Sequence, residues 1–213
     1  MLHKRYGDPL NLGSISPRIL PTRSARVAAL ILVLALAACG RPAAAPTAAG
    51  MGTPDTSGAA TAPPVNGISC DRAESVLFHI HAHLAIYANG EPQKVPYGVG
   101  IGQPWHVAQS AEGPFVDRGS CFYWLHTHTE DGIIHIESPV TRTFTLGDFF
   151  AIWGQPIGAD AVAGAHGKVF AYVDGAPFEG DPAAIPLMDH EVIQLDVGVD
   201  APPPQTYTFP TGL

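Results

Sequence analysis

Residues 124–137, WLHTHTEDGIIHIE, place three histidines and a glutamate around an Asp-Gly pair. Asp-Gly between alternating residues is a strong signal for a two-residue β-hairpin loop. With Asp131 and Gly132 as that loop, residue 128 pairs with residue 135, and residue 126 pairs with residue 137. Directly opposed residues of a hairpin share a face. The stretch therefore predicts a hairpin with four polar side chains on one face: His126, His128, His135 and Glu137.

The length of the turn decides how these side chains pair. A four-residue loop keeps all four on one face but shifts their partners, whereas a three-residue loop divides them between the two faces. Opposed Cβ atoms in a hairpin lie roughly 4.5–5.5 Å apart. That spacing is close enough for two imidazoles to bind one metal ion.

Residues 76–88, VLFHIHAHLAIYA, predict a second strand that carries histidines. Apolar residues occupy one face and histidines alternate along the other, which is the period-two pattern of a strand. Packing of a core accounts for the apolar face, but it does not require imidazoles on the opposite face. We therefore predict a metal site with ligands from this strand and the hairpin. The predicted ligands are His81, His83, His126, His128, His135 and Glu137, and His79 extends the patch.

Imidazole and carboxylate donors suit Zn, Cu(II), Ni or Fe, and we expect zinc or copper here. No methionine lies near the hairpin in sequence, which weighs against a blue-copper or Cu(I) site. The candidates outnumber the four ligands of a tetrahedral zinc site, so the pattern fits one ion with spare residues or two ions. Glu137 is expected as a ligand or as the acceptor that orients a histidine. The alternative is a polar sheet face of histidines hydrogen-bonded to one another and to Glu137.

The remaining patterns predict a mainly β (α+β) fold of antiparallel strands with one short helix. Residues 148–153, DFFAIW, are the helix candidate, with Asp148 as N-cap and Gly154 ending the helix. The second half consists of two strands, the TLGDFF helix, a strand, a turn and PLMDHEVIQLDVG, and it resembles a β-grasp unit of the small sulfur-carrier type. His190 replaces a glycine or aspartate of that pattern, and the sulfur-carrying Gly-Gly is missing, so the resemblance implies a fold and no activity. A small β-sandwich or cupredoxin-like barrel is the alternative.

Residues 27–38, VAALILVLALAA, form an apolar run of twelve residues after a positively charged flank. Such a run is short for a bilayer span and typical of a signal-peptide core. It ends in LAAC, which resembles the lipobox of bacterial lipoproteins. The resemblance implies a signal peptide over residues 1–38, a lipidated Cys39, and a protein anchored on the periplasmic or extracellular side of a membrane. An ordinary signal peptide or a short membrane anchor with an incidental cysteine is the alternative.

Composition divides the rest of the chain. Residues 39–67 predict a flexible tether, because 23 of these 29 residues are Ala, Pro, Gly, Ser or Thr. Residues 68–200 predict a single histidine-rich β domain, and residues 201–213 a proline-rich tail. From Cys39 onward there are 6 Lys and Arg against 18 Asp and Glu. This acidic balance argues against nucleic acid as a partner and favours cations.

Two cysteines remain if Cys39 is lipidated. In an exported, oxidising compartment an even remainder predicts a disulfide between Cys70 and Cys121. A bridge that closes a loop of ~50 residues contributes roughly 3–4 kcal/mol in the chain-entropy model. A pair of thiolate metal ligands is the alternative, although the sequence has no CxxC spacing.

The function expected from these patterns is a lipid-anchored, exported protein that buffers, senses or delivers copper or zinc. The block HTHTEDGIIHIESP is similar to one in uncharacterised exported proteins of bacteria and archaea, a resemblance that carries no activity. HExxH, GxSxG and P-loop motifs are missing from the sequence, so a binding protein is expected before an enzyme. Two alternatives stay open: a hydrolytic or redox metalloenzyme that uses the same histidines, and a structural or interaction module without metal.

Overall fold

β-Strands dominate the part of the chain that the computed structural model describes, residues 62–111, 113–199 and 202–213. In chain order the strands are β1 (Cys70–Asp71), β2 (Phe78–Ala88), β3 (Glu91–Gln93), β4 (His106–Ser110), β5 (Gly113–Arg118), β6 (Phe122–Tyr123), β7 (Leu125–His126), β8 (Ile133–Ser138), β9 (Phe144–Thr145), β10 (Ala161–Val162), β11 (Ala165–His166), β12 (Val169–Val173), β13 (Ala176–Pro177), β14 (Pro186–Leu187) and β15 (Glu191–Val197). The helix α1 is Leu146–Trp153, and a short 3-10 helix is Pro182–Ala184. The prediction of a mainly β fold is confirmed. No helix in these ranges has the length and hydrophobicity to cross a bilayer.

Strand β2 occupies the middle of a seven-stranded sheet in the order β13-β12-β15-β2-β8-β7, with β3 also paired to β2. It runs parallel to β15 and antiparallel to β8 and β3. The first and last strands of this sheet in chain order, β2 and β15, are adjacent and parallel, and each pairs with an antiparallel strand on its other side. The β-grasp resemblance of the second half stays a prediction.

The two faces of β2 have different surroundings. Leu84 and Ile86 are buried in the hydrophobic core together with Phe149 and Phe150 of α1. Burial of apolar area at about 25 cal/mol per Å² is the main force that holds the helix on this face. Because side chains alternate along a strand, the histidines of β2 lie on the face opposite α1.

Helix α1 begins two residues before the predicted start. Thr145 is its N-cap: the side-chain oxygen accepts a hydrogen bond from Asp148 N at 3.2 Å, and Asp148 Oδ2 accepts one from Thr145 N at 3.2 Å. Asp148 is therefore the third helical residue of a capping box rather than the cap itself. Gly154 ends the helix in the left-handed conformation, with φ 71°, as predicted.

The hairpin between β7 and β8 is shifted by two residues from the predicted pairing. His126 is opposite His135, not opposite Glu137. The predicted two-residue loop fails because residues 127 and 128 bond elsewhere: Thr127 N donates to Val99 O at 3.0 Å, and His128 O accepts from Val116 N at 3.0 Å. A shift of two residues leaves every side chain on its predicted face.

The described domain is longer at both ends than residues 68–200. Near its start, Tyr123 Oη donates to Pro63 O at 2.6 Å, and Asn66 Nδ2 donates to Asp148 Oδ1 at 3.0 Å. Near its end, the Gln194 side chain donates to Pro202 O at 3.0 Å and accepts from the backbone of residue 205 at 2.9 Å. The predicted signal peptide, Cys39 and tether residues 39–61 lie outside the described residues.

Cys70 and Cys121 form the predicted disulfide. The bridge joins β1 to the residue before β6, and these two strands also pair with each other. Both sulfur atoms are used in this covalent bond, so Cys70 and Cys121 are not thiolate metal ligands.

Candidate metal centre

Three adjacent strands place a row of histidines across one face of the central sheet. His126 on β7 is opposite His135 on β8, and His135 is in turn opposite His81 on β2. Two residues further along β8, Glu137 is opposite His79. Strand β8 thus lies between the two strands that carry repeated histidines, and it brings them together on the face opposite α1.

Aromatic rings from outside the central sheet cover this row. Phe115 of β5 stacks on His128 with ring centroids 4.8 Å apart, and Phe122 of β6 contacts the edge of His126 at 5.7 Å. As a result His126 is fully buried and His128 is 7% exposed. Water is therefore largely excluded from the imidazoles of the hairpin.

Backbone carbonyls fix the tautomers of His126 and His128. The Nδ1 atom of His126 is 2.9 Å from Tyr123 O, and that of His128 is 2.6 Å from Val116 O. A carbonyl only accepts a hydrogen bond, so each Nδ1 carries the proton. In the neutral rings the lone pairs are consequently on the Nε2 atoms, which lie 3.1 Å apart.

The Nε2 atom of His126 has no proton to share near neutral pH. Burial, with smaller contributions from His135 and His128, lowers the pKa of His126 to about 3. Two lone pairs at hydrogen-bond distance repel each other unless a cation lies between them. A metal ion supplies that cation, and an Nδ1–H donated to a carbonyl is the usual support of a metal-bound histidine.

His135 and Glu137 complete a four-residue group with this pair, named the inner group. The potential ligand atoms of His126, His128, His135 and Glu137 all lie within 4.8 Å of one another. Nδ1 of His135 is buried, has no hydrogen-bond partner, and lies 3.6 Å from Glu137 Oε1. Burial, followed by the nearby histidines, holds the pKa of His135 well below its usual value. An unpartnered buried nitrogen costs about 1–3 kcal/mol, which coordination to an ion would remove.

Glu74 approaches the same pair and was missed by the sequence patterns. Its Oε1 lies 3.4 Å from Nε2 of His128 and 3.7 Å from Nε2 of His126. Burial and then the charge of Glu137 raise the pKa of Glu74. The residue lies between β1 and β2 in a segment without strand pattern, so its one sequence signal is its position between Cys70 and the histidine strand.

A second set of donors, named the outer group, consists of His79, His81 and His135. Nε2 of His79 is 3.1 Å from Nε2 of His81 and also 3.1 Å from Glu137 Oε1. The His79 side chain is 38% exposed, so this group is closer to solvent than the inner one. Burial, and then the neighbouring His79, lowers the pKa of His81.

His83 was predicted as a ligand, but it belongs to neither group. Its Nε2 lies 3.1 Å from Asp131 O, and its ring stacks on Tyr207 at 3.6 Å between centroids. The register of β2 on β8 explains the difference. His83 is opposite Ile133, two residues away from His135, which is the histidine of β8. Burial lowers its pKa, so His83 is a neutral side chain that holds the C-terminal segment.

A cavity of about 240 Å³ adjoins the inner group. His128 and His135 form part of its wall, and Phe115, Ile133 and Pro210 provide apolar surface. The inner group is therefore buried among protein side chains and borders this cavity on one side.

Histidine and glutamate side chains of the described residues are thus positioned to hold a metal ion. The predicted residues His81, His126, His128, His135 and Glu137 come together, His79 joins them, and His83 does not. A comparison of this chain with protein-family models, curated proteins and solved structures found no match.

Proposed function

We propose that this chain is an exported, lipid-anchored protein whose domain binds a transition metal ion at the inner group. The observation that carries the proposal is the pair of facing Nε2 atoms of His126 and His128 at 3.1 Å, in rings whose Nδ1 atoms are bound to backbone carbonyls. Two lone pairs held in this way by carbonyl-bound Nδ1 atoms are costly without a cation and favourable with one.

The donor set supports zinc or copper as the ion. Three imidazoles and one carboxylate match the four-coordinate sites of Zn²⁺ and also suit Cu(II). Both cysteines of the domain are in the disulfide, which leaves nitrogen and oxygen donors at the site and disfavours Cu(I). The acidic composition from Cys39 onward favours cations near the domain. The role that follows is buffering or delivery of zinc or copper at a membrane surface.

The experiment is a metal analysis of the protein purified without an affinity His-tag. After incubation with Zn(II) or Cu(II) and removal of free ions, mass spectrometry measures the bound metal per chain. We expect stoichiometric metal in the wild type and a loss of most of it in His126→Ala/His128→Ala. The matched control is His106→Ala/His166→Ala, which removes two exposed histidines outside both groups. Equal metal in the site variant and the control would contradict the proposal.

The lipid anchor has its own test. The LAAC sequence ending at Cys39 supports the anchor, and Cys39→Ala removes the proposed acylation site without touching the domain. We expect the wild type in the membrane fraction, labelled by a fatty-acid probe, and the variant in the soluble exported fraction without label. Membrane partition that is the same in both proteins would contradict lipidation.

A metalloenzyme is the second candidate function, and the cavity beside His128 and His135 is the observation that favours it. Catalytic zinc sites keep one position open for water or substrate. Azide titrated into the Co(II)-substituted protein tests for such a position. A change in the visible absorption spectrum supports the enzyme, whereas an unchanged spectrum supports a closed binding site.

A further inference from the structure

We propose that the same sheet face holds a second transition metal ion at the outer group, His79, His81 and His135, so that the centre is dinuclear. This inference rests on the proposed function, because it adds a second ion to the site described above. Glu137 would lie between the two ions.

The spacing of the outer nitrogens is that of two ligands on one ion. Nitrogens bound at about 2.0–2.1 Å to a tetrahedral zinc ion are about 3.3 Å apart. The Nε2 atoms of His79 and His81 are 3.1 Å apart, and those of His126 and His128 are also 3.1 Å apart. The face therefore has two histidine pairs with the same geometry.

One ion does not serve both pairs. The donors fall into two sets in which all atoms lie within 4.8 Å of one another, and these sets have only His135 in common. An ion with bonds of about 2.1 Å needs all its donors within roughly 4.2 Å of one another. His79 and His81 therefore bind no ion in a mononuclear centre, whereas they bind the second ion in a dinuclear centre.

His135 and Glu137 are placed to serve both ions. His135 belongs to both sets, and Glu137 Oε1 lies 3.1 Å from His79 Nε2 and 3.6 Å from His135 Nδ1. A carboxylate has two oxygens, so Glu137 is able to contact two ions. A neutral imidazole has one free nitrogen, so His135 would contact both ions only as an imidazolate, with its remaining ring proton released to solvent when the second ion binds. His135 and Glu137 are two residues apart on the same face of β8, and β8 lies between the strands that carry the two histidine pairs.

Solvent exposure separates the two positions. His126 is fully buried, whereas the His79 side chain is 38% exposed. The ion of the outer group therefore exchanges faster, and a chelator removes it first. The competing arrangement is a proton in place of the outer ion, with Nε2–H of His79 donating to Glu137.

The test is a zinc titration of the full tag-free protein with metal counted per chain after dialysis. We expect two zinc ions in the wild type, the second bound more weakly, and one in His79→Ala/His81→Ala. The single variant His79→Ala, at an exposed side chain, replaces the double variant if that one does not fold. His83→Ala is the control on the same strand and keeps two ions.

The possible outcomes separate this inference from the proposed function. One ion in both the wild type and the His79 variants overturns the second ion and leaves the first in place. Two ions in the wild type and still two in the His79 variants also overturn it, because the second ion then binds elsewhere. No bound ion in the wild type overturns the proposed function itself.

Discussion

At the scale of single residues, the protonated Nδ1 atoms of His126 and His128 matter as much as the nitrogens that face the ion. Each Nδ1–H donates to a backbone carbonyl, of Tyr123 and Val116 respectively. These bonds hold the ring planes and leave the Nε2 lone pairs directed at each other. The sequence patterns identified the two histidines but not these carbonyl partners, which lie three residues before His126 and twelve residues before His128.

The buried histidines predict a pH-dependent stability for the metal-free protein. Burial lowers the pKa of His81, His83, His126 and His135 below 6.5, so below pH 6.5 the unfolded chain binds more protons than the folded one. The contribution of these neutral histidines to the free energy of unfolding is complete above pH 6.5 and is lost as the pH falls. We expect the free energy of unfolding to fall by up to about 1.4 kcal/mol per pH unit for each histidine that stays neutral.

Urea denaturation in the presence of a chelator measures this effect between about pH 7.5 and pH 5.5. The range lies above the usual pKa values of aspartate and glutamate. A free energy of unfolding that stays constant over this range would be inconsistent with neutral, buried imidazoles.

Glu74 predicts a loss of metal affinity without a loss of fold. Its carboxylate lies 3.4 Å from Nε2 of His128 and is about one-third exposed, so it is able to bind or attract the ion but carries little core packing. Loss of a group of this kind costs roughly 10–100-fold in metal affinity. Chelator competition on Glu74→Gln measures the change, and Glu130→Gln, which removes a partly exposed carboxylate paired with Lys94, is the control. Equal affinities in the two variants would remove Glu74 from the site.

At the scale of elements, the turn of the hairpin depends on Gly132. Its φ is 84°, a left-handed conformation, and a Cβ at this position would collide with Leu84 O and make a tight contact with Nε2 of His83. The backbone cost of a non-glycine residue in this conformation is about 1–2 kcal/mol, and the collision adds to it. We expect Gly132→Ala to lower the free energy of unfolding by roughly 2–3 kcal/mol.

Gly175→Ala is the matched control for this prediction. Gly175 has φ 79° and no atom within 4 Å of the added Cβ, so it reports the backbone cost alone. Urea denaturation of both variants gives the difference. The same destabilisation in both would show that the approach of the turn to β2 contributes nothing.

Sequence patterns predicted which face each histidine occupies but not which residues pair. The alternation of His126, His128 and His135 with other side chains survives any even shift in register, so the faces were correct. The predicted pairing was wrong because the backbone groups of residues 127 and 128 form hydrogen bonds with Val99 and Val116 instead. The start of α1 was wrong for a related reason: Thr145 and Asp148 both suit the N-cap, and only the extended backbone at Thr145 decides between them.

At the scale of the whole molecule, the position of β2 in the sheet decides how large the site is. The strand pattern of residues 76–88 predicted histidines on one face, but not that β8 would lie between β2 and β7. Such an order depends on contacts distant in sequence, including the parallel pairing of β2 with β15. The same order explains why His79 and His81 join the site while His83 lies beyond it.

The Cys70–Cys121 disulfide predicts a stability that reductant removes. It closes a loop across a sequence separation of 51 residues that contains β2, Glu74 and the segment before β7, and such a loop contributes roughly 3–4 kcal/mol. We expect a reduced protein, or Cys70→Ala/Cys121→Ala, to lose about this much free energy of unfolding. Thermal or urea denaturation with and without reductant measures the loss. The same midpoint in both conditions would argue against the bridge.

The most direct test of metal binding at the inner group is nitrogen NMR of the histidine rings during a zinc titration of the tag-free protein. We expect the Nε2 resonances of His126 and His128 to shift with the first equivalent of Zn(II). We expect their Nδ1 atoms to remain protonated, because those protons are donated to the carbonyls of Tyr123 and Val116. Nε2 resonances that do not respond to zinc, or an Nε2 of His126 that carries a proton before zinc is added, would contradict metal binding at this pair.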